Sequence, residues 1–193
     1  HRRDKGLEQA MEELIRAISL SYSARQAAGL KRRWPLKEMI VVAEPSVLRA
    51  LEPLRDLLME LANVKAVRFS SSEEGLCGPE WSGSSEAGMS VFVLTVRDRA
   101  LVGEGLMRDV ARRIQALRRD MGFKPTEILE EAHVAGLDEE FLSLLEPHVR
   151  ALEELVRVKR VVLHLGTPDI EGLSWKEYEL EGRKIRISIR SQA

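Results

Sequence analysis

Five arginines lie close together between residues 104 and 123, and arginine is well suited to hold a phosphate group. Its planar guanidinium presents N–H donors in a fixed fork that matches the geometry of phosphate oxygens. The five are Arg108, Arg112, Arg113, Arg118 and Arg119. Spacings of three and four residues put side chains on one face of a helix. That face carries Arg108, Arg112, Gln115 and Arg119. The segment therefore predicts a helix whose cationic face could contact RNA phosphates.

Two other interpretations of this helix stay open. In the first, the face is solvated and paired within itself, because Glu104 precedes Arg108 by four residues and Asp109 lies near two more arginines. An exposed pair at this spacing contributes only about 0.2–0.5 kcal/mol. In the second, some of the arginines are buried against another domain and pair with carboxylates there.

A second basic patch surrounds an aromatic side chain in the segment RQAAGLKRRWPLK. Its candidate RNA contacts are Arg25, Lys31, Arg32, Arg33 and Trp34. Cations interleaved with an aromatic ring suit RNA, because the cations hold phosphates and the ring stacks on a base. The alternative is that Trp34 fills the core and the basic side chains form a solvated rim.

Composition bounds the remaining chemistry. The chain has 193 residues, 44% of them hydrophobic, and a net charge of −1. Residues 1–37 and 91–125 are net basic and the other blocks net acidic, so a polyanion would meet only part of the surface. The single cysteine, Cys77, excludes a disulfide framework and a cysteine-rich zinc site, and it favours a reducing compartment. No glycine-rich phosphate loop, catalytic motif or metal site is visible, and the four scattered histidines predict packed or solvated side chains.

The elements that position the two basic patches follow from hydrophobic periodicity. Helices are predicted at 7–29, 46–61, 98–121 and 138–156, and strands at 38–43, 63–69, 90–96, 126–134 and 159–165. A hairpin is predicted around Glu181–Gly182, and residues 70–89 are predicted to form a mobile loop or the tip of a hairpin. The fold class is α+β: an N-terminal helix from an all-α bundle, then mixed α/β layers closed by a C-terminal hairpin. The domains are 1–36, 37–69, the loop 70–89 and 90–193, with no internal repeat visible.

Four stretches resemble class I isoleucyl-tRNA synthetases, from the end of the anticodon-binding domain through the C-terminal domain. They are SARQAAGLKRRWPLKEMIVV (23–42), LMELANVKAVRF (58–69), EGLMRDVARRIQALRRDMGF (104–123) and WKEYELEGRKIRISIR (175–190). The third, with its order Glu-Gly-Leu-x-Arg, is the most specific. The chain departs from the family in lacking adenylation signatures and in its short, polar segment 70–89. Bacterial members of the family often carry a C-terminal zinc module with four cysteines, so the single cysteine favours a resemblance to the archaeal or eukaryotic-like branch.

The resemblance implies a fragment of an isoleucine-tRNA ligase that contributes tRNA binding and interdomain support, with no catalytic residue of its own. ATP and magnesium would serve the intact enzyme and not this fragment. The expected partners are tRNA, most directly an isoleucine tRNA, and the remaining synthetase domains, with no DNA or membrane partner and a cytoplasmic location. The alternative is a protein-interaction or scaffolding module whose basic faces are paired within the protein.

Overall fold

The computed structural model describes residues 4–75 and 78–192. The chain divides into two compact units, His1–Leu101 and Val102–Ala193, and each has its own hydrophobic core. Cys77, which the sequence places in a loop, lies outside the described residues. Within the described ranges, no helix is both long and apolar enough to cross a membrane.

The first unit is a long helix packed on a four-stranded mixed sheet. Its elements are α1 (Lys5–Ala27), β1 (Met39–Val42), α2 (Pro45–Leu51), α3 (Arg55–Ala62), β2 (Val67–Ser70), β3 (Trp81–Glu86) and β4 (Met89–Leu94). The sheet order is β2-β1-β4-β3, with β1 parallel to β2 and every other pair antiparallel. All four residues of β1 are buried, as expected for a central strand that is covered on both faces.

Helix α1 shares its core with this sheet. The Asp4 side chain caps the helix by accepting a hydrogen bond from the Leu7 N–H at 3.1 Å. The buried stripe of α1, which includes Leu14 and Ala17, packs in one cluster with Met39 of β1. The sequence assigned residues 1–36 and 37–69 to separate domains, whereas the structure joins them because the apolar face of α1 is covered by the sheet that follows it.

The second unit has the same plan. Its elements are α4 (Arg99–Asp120), which begins in the last residues of the first unit, then β5 (Leu129–Leu137), α5 (Glu139–Leu145), α6 (Val149–Val156), β6 (Val158–Leu165), β7 (Lys176–Leu180) and β8 (Arg183–Arg190). The sheet order is β6-β5-β8-β7, with β5 parallel to β6. The apolar stripe of α4 joins the core through Val110, Ile114 and Leu117.

The two units therefore form an internal structural repeat, and the expectation of no repeat is wrong. Each runs helix, strand, broken helix, parallel strand and hairpin, and the strands occur in the same spatial order. Short matches mark corresponding positions: Leu-Glu-Pro occurs at 51–53 and again at 145–147, and Gly-x-Lys at 29–31 and 122–124. The repeat is not apparent in the sequence because the two units share few residues beyond these short matches.

The predicted α+β class and the C-terminal hairpin are confirmed. Glu181 and Gly182 both have positive φ, 52° and 72°, as the tight turn between β7 and β8 requires. Two predictions need correction. Residues 70–89 contain strand β3, which was not predicted, and end in a hairpin turn at Ala87 and Gly88, where Ala87 adopts φ 44°; the hairpin-tip alternative fits this turn and the mobile loop does not fit the strand. The helices predicted at 46–61 and 138–156 are each interrupted by a 3₁₀ segment, Glu52–Leu54 and Glu146–His148. Each segment contains a proline, which has no N–H to continue the helical hydrogen bonds.

Candidate nucleic-acid interface

Arg25 is buried and holds backbone instead of facing solvent. Its side chain is 1% exposed, near the C-terminal end of α1. Nη1 donates to the carbonyl oxygens of Lys31 and Trp34 at 2.8 and 2.7 Å. Nη2 donates to those of Ala62 and Asn63, both at 2.9 Å. Burial lowers the pKa of Arg25 to about 10, so the group is still charged at neutral pH. Both terminal nitrogens are committed to carbonyl groups and the side chain is buried, so no free face is left for a phosphate.

Arg118 does the same in the second unit. Its guanidinium, 4% exposed, donates to four carbonyl oxygens, those of Lys124, Glu127, Val156 and Arg157. The first two acceptors lie six and nine residues after the arginine, as Lys31 and Trp34 do after Arg25. Burial also lowers the pKa of Arg118. Arg118 is therefore buried, but within its own unit instead of against another domain, and its partners are carbonyl groups, not carboxylates.

The rest of the first basic patch is engaged with neighbouring side chains. Trp34 is half-buried, with the Lys31 ammonium 5.3 Å and the Arg97 guanidinium 4.1 Å from its ring centroid. The Arg32 guanidinium stacks over Tyr22 at 3.9 Å. Arg33 is also half-buried and takes part in an interaction. These contacts resemble the alternative of a packed tryptophan with a cationic rim more than an open stacking platform.

Two arginines of α4 are engaged within the second unit. Arg108 pairs with Glu104 across one helical turn at 3.3 Å, as the spacing predicts. Arg113 lies over the Tyr178 ring at 5.7 Å, and its Nη2 reaches the Glu179 carbonyl oxygen at 3.5 Å. Both side chains are partly buried. They therefore fit the self-paired interpretation of this helix.

Arg112 and Arg119 are different, because they are exposed and make no hydrogen bond or ion pair within residues 4–75 and 78–192. Both line a cavity of about 590 Å³ between the C-terminal parts of α4 and α6. Its walls are formed by Arg112, Gln115, Arg118, Arg119, Phe123, Pro125, Leu155, Val156 and Arg157. None of these described lining residues is acidic. A volume of this size falls in the range typical of small-ligand sites, about 300–1,000 Å³.

Arg157 is the cavity residue that sequence reasoning missed. It follows α6 with φ 55° and ψ 52°, a left-handed conformation that is uncommon for residues other than glycine and asparagine. Asn63 occupies the corresponding place after α3, with nearly the same angles. The internal repeat is the signal that could have pointed to Arg157. Aligning the end of α3 with the end of α6 places Arg157 at the position of Asn63.

The electrostatics of this cavity depend on its arginines. The C-terminal ends of helices carry partial negative charge, which by itself would repel an anion. The Arg118 guanidinium covers the last carbonyl groups of α6 and offsets that charge. Three further guanidiniums, from Arg112, Arg119 and Arg157, then make the cavity cationic. Farther along the same groove the lining includes Glu104 and Glu154, so the cationic part is confined to the end near Phe123.

A histidine pair lies on the sheet of the second unit. His133 Nδ1 is 2.9 Å from His164 Nε2, and His133 Nε2 is 2.8 Å from a Glu131 carboxylate oxygen. Trp175 meets both rings edge-on. The hydrogen bond to His133 lowers the pKa of Glu131, and burial with the neighbouring His133 lowers the pKa of His164. In the described part of the chain, no three His, Cys, Asp or Glu side chains are arranged so that they could hold a metal ion together, here or elsewhere.

Comparison with known proteins places the chain in a family. No protein-family model matches it. It is 26% identical over 96% of its length to the isoleucine–tRNA ligase of Methanopyrus kandleri, and 30% identical over 97% to that of Pyrobaculum aerophilum. A bacterial isoleucine–tRNA ligase, from Dehalococcoides mccartyi, is 30% identical over 75% of the chain. The chain is homologous to a segment of the isoleucine–tRNA ligases. It spans 23%, 17% and 14% of the lengths of these three relatives.

The predicted resemblance to isoleucine–tRNA ligases is thereby confirmed. Within this ligase segment, the arginine series of α4 is divided between structure and surface. Arg118 holds the backbone, Arg108 and Arg113 are engaged within the unit, and Arg112 and Arg119 line the cavity. The pattern that carried the resemblance therefore combines a structural and a surface role in one helix.

Proposed function

We propose that this chain is a C-terminal segment of an isoleucine–tRNA ligase and supplies part of the surface that binds tRNA. Similarity to these ligases over nearly the whole chain carries the proposal. The substrate would be an isoleucine tRNA, recruited for aminoacylation in the cytoplasm beside the remaining domains of the ligase. ATP and magnesium would act in those other domains, because the role proposed for this segment is binding and interdomain support, not adenylate chemistry.

The cationic cavity of the second unit supports an RNA role. Arg112, Arg119 and Arg157 present guanidiniums that have no partner within the described chain, and guanidiniums match phosphate geometry. The first basic patch gives less support for RNA binding, since Arg25 is buried and the Trp34 ring already makes cation–π contacts with two basic side chains. The RNA contacts proposed are therefore Arg112 and Arg119 first, with Lys31, Arg32 and Arg33 as a second surface.

Fluorescence anisotropy with an unmodified isoleucine tRNA transcript tests this function. Three phosphate contacts give a slope of about two to three log units in affinity per log unit of salt. The dissociation constant should therefore rise about 20- to 40-fold between 50 and 200 mM salt. Arg49→Ala serves as a control variant. It removes an exposed arginine on α2 that is not among the proposed RNA contacts, so it should change affinity less than twofold.

Two results would overturn the proposal: no binding at 50 mM salt, or binding that salt leaves unchanged. The first would favour the second candidate, a protein-interaction module. The ion pair of Arg108 with Glu104 and the packing of Arg113 on Tyr178 are the observations that favour that candidate.

A further inference from the structure

One of the differences between the two repeats leaves a cavity in the second. In the first unit, Tyr22 donates a hydrogen bond from its hydroxyl to the Leu61 carbonyl, and Arg32 lies over the ring at 3.9 Å. The aromatic ring and the guanidinium fill the space beside α3. This stack plugs the position that corresponds to the cationic cavity.

The second unit keeps the hydrogen bond and loses the plug. Gln115 stands at the position of Tyr22 and donates from Nε2 to the Leu155 carbonyl at 3.1 Å, as Tyr22 does to Leu61. Pro125 stands at the position of Arg32, since each lies seven residues after the buried arginine of its unit, and proline carries no long side chain. The space that Arg32 and Tyr22 occupy in the first unit is therefore open.

Arg157 adds a second observation at the same cavity. An arginine with φ 55° is strained relative to asparagine or glycine, and the first repeat has Asn63 there. Strain that persists where a better residue would fit points to a role for the side chain. Arg157 lines the cavity together with Arg112 and Arg119. None of the described residues that line this cavity carries a carboxylate.

We propose that this cavity holds one unstacked nucleotide of the bound RNA. Its phosphate lies among the guanidiniums of Arg112, Arg119 and Arg157, and its base lies against Phe123, Pro125 and Leu155. Arginine forks suit the phosphate, and an aromatic ring with an apolar rim suits a base face. This proposal rests on the proposed function, since the nucleotide belongs to the tRNA that the segment binds.

The sharpest test refills the cavity with the plug of the first repeat. Gln115→Tyr combined with Pro125→Arg restores the stacked pair, keeps every arginine of the wall and adds one positive charge. If charge alone attracts the RNA, this variant should bind tRNA as tightly as the unmodified chain, or more tightly. Loss of the nucleotide site should instead weaken tRNA binding about tenfold, the scale of losing one stacked base. Circular dichroism and a thermal melt establish that the variant is folded.

Arg157→Asn is the second variant, because it removes one guanidinium and relieves the strain of the left-handed backbone at this position. Its melting temperature should rise by ~3 °C while tRNA affinity falls several-fold. Arg49→Ala again serves as the control and should leave both quantities unchanged. An Arg157→Asn variant that is more stable and binds tRNA as tightly as the unmodified chain would count against the cavity.

Free nucleotides separate this proposal from the proposed function. Titration of the ¹⁵N-labelled chain with nucleoside 5′-monophosphates should shift the amide signals of Phe123, Leu155 and Arg157, and orthophosphate alone should shift them less. Shifts from nucleotides without any tRNA binding would reject the proposed function and keep the cavity as a nucleotide site. Absence of nucleotide shifts, or full tRNA affinity in the plugged variant, would overturn the cavity proposal even if tRNA binds.

Discussion

Arg25→Lys tests whether this arginine holds the fold or an RNA phosphate, because the substitution keeps the charge. The Arg25 guanidinium donates four hydrogen bonds to two segments, 31–34 and 62–63. A lysine ammonium carries its donors on a single nitrogen, so it can reach one segment and must release the other. Two charge-assisted hydrogen bonds are then lost, each contributing about 1.5 kcal/mol at the low end. The free energy of unfolding of the first unit should fall by about 3 kcal/mol.

Urea unfolding followed by circular dichroism measures the loss, and hydrogen exchange with mass spectrometry assigns it to a unit. Exchange should accelerate in residues 4–101 and stay unchanged in 102–192, because the two units have separate cores. Arg49→Lys is the matched control on an exposed helical surface, where substitutions change stability by less than about 0.5 kcal/mol. If Arg25→Lys is as stable as that control, the four hydrogen bonds do not hold the fold and the reasoning fails.

Two further predictions concern the second unit. Gly103→Ala should destabilise it by about 1–3 kcal/mol in thermal unfolding, since the new methyl group would meet the Leu144 carbonyl oxygen. The same substitution at Gly6, which has room in α1, should be neutral or stabilising, and equal effects at both positions would contradict the packing argument. The pKa of His164 is lowered from its ordinary value of 6.5 by burial and by His133, so the unfolded chain takes up this proton first as the pH falls. The stability contribution of neutral His164 is therefore complete above about pH 6.5 and is lost as the pH drops below it. His164→Asn should flatten the urea-midpoint profile between pH 7 and 5, and an unaltered slope would refute the assignment.

Much of the fold could be predicted from local pattern. The amphipathic periods of α1 and α4 and the Glu181–Gly182 turn depend on residues within a few positions of each other, so the sequence displays them directly. Strand β3 could not be predicted, because its pairing with β4 depends on Ala87 adopting a left-handed conformation that alanine seldom shows. The two 3₁₀ segments were signalled by Pro53 and Pro147 and were missed.

The residue pattern is enough to predict the helix that carries the arginines, the α+β class and the resemblance to isoleucine–tRNA ligases. The role of each arginine depends on the folded chain. A guanidinium near the end of a helix is equally charged whether it is buried or exposed, and its role depends on which carbonyl groups the rest of the chain brings to it. Arg25 and Arg118 meet four carbonyls each, and Arg112 and Arg119 meet none among the residues that the structure describes. The repeat was likewise established only in three dimensions, because its sequence matches are short and few, whereas the strand order and the buried hydrogen bonds are the same in both units.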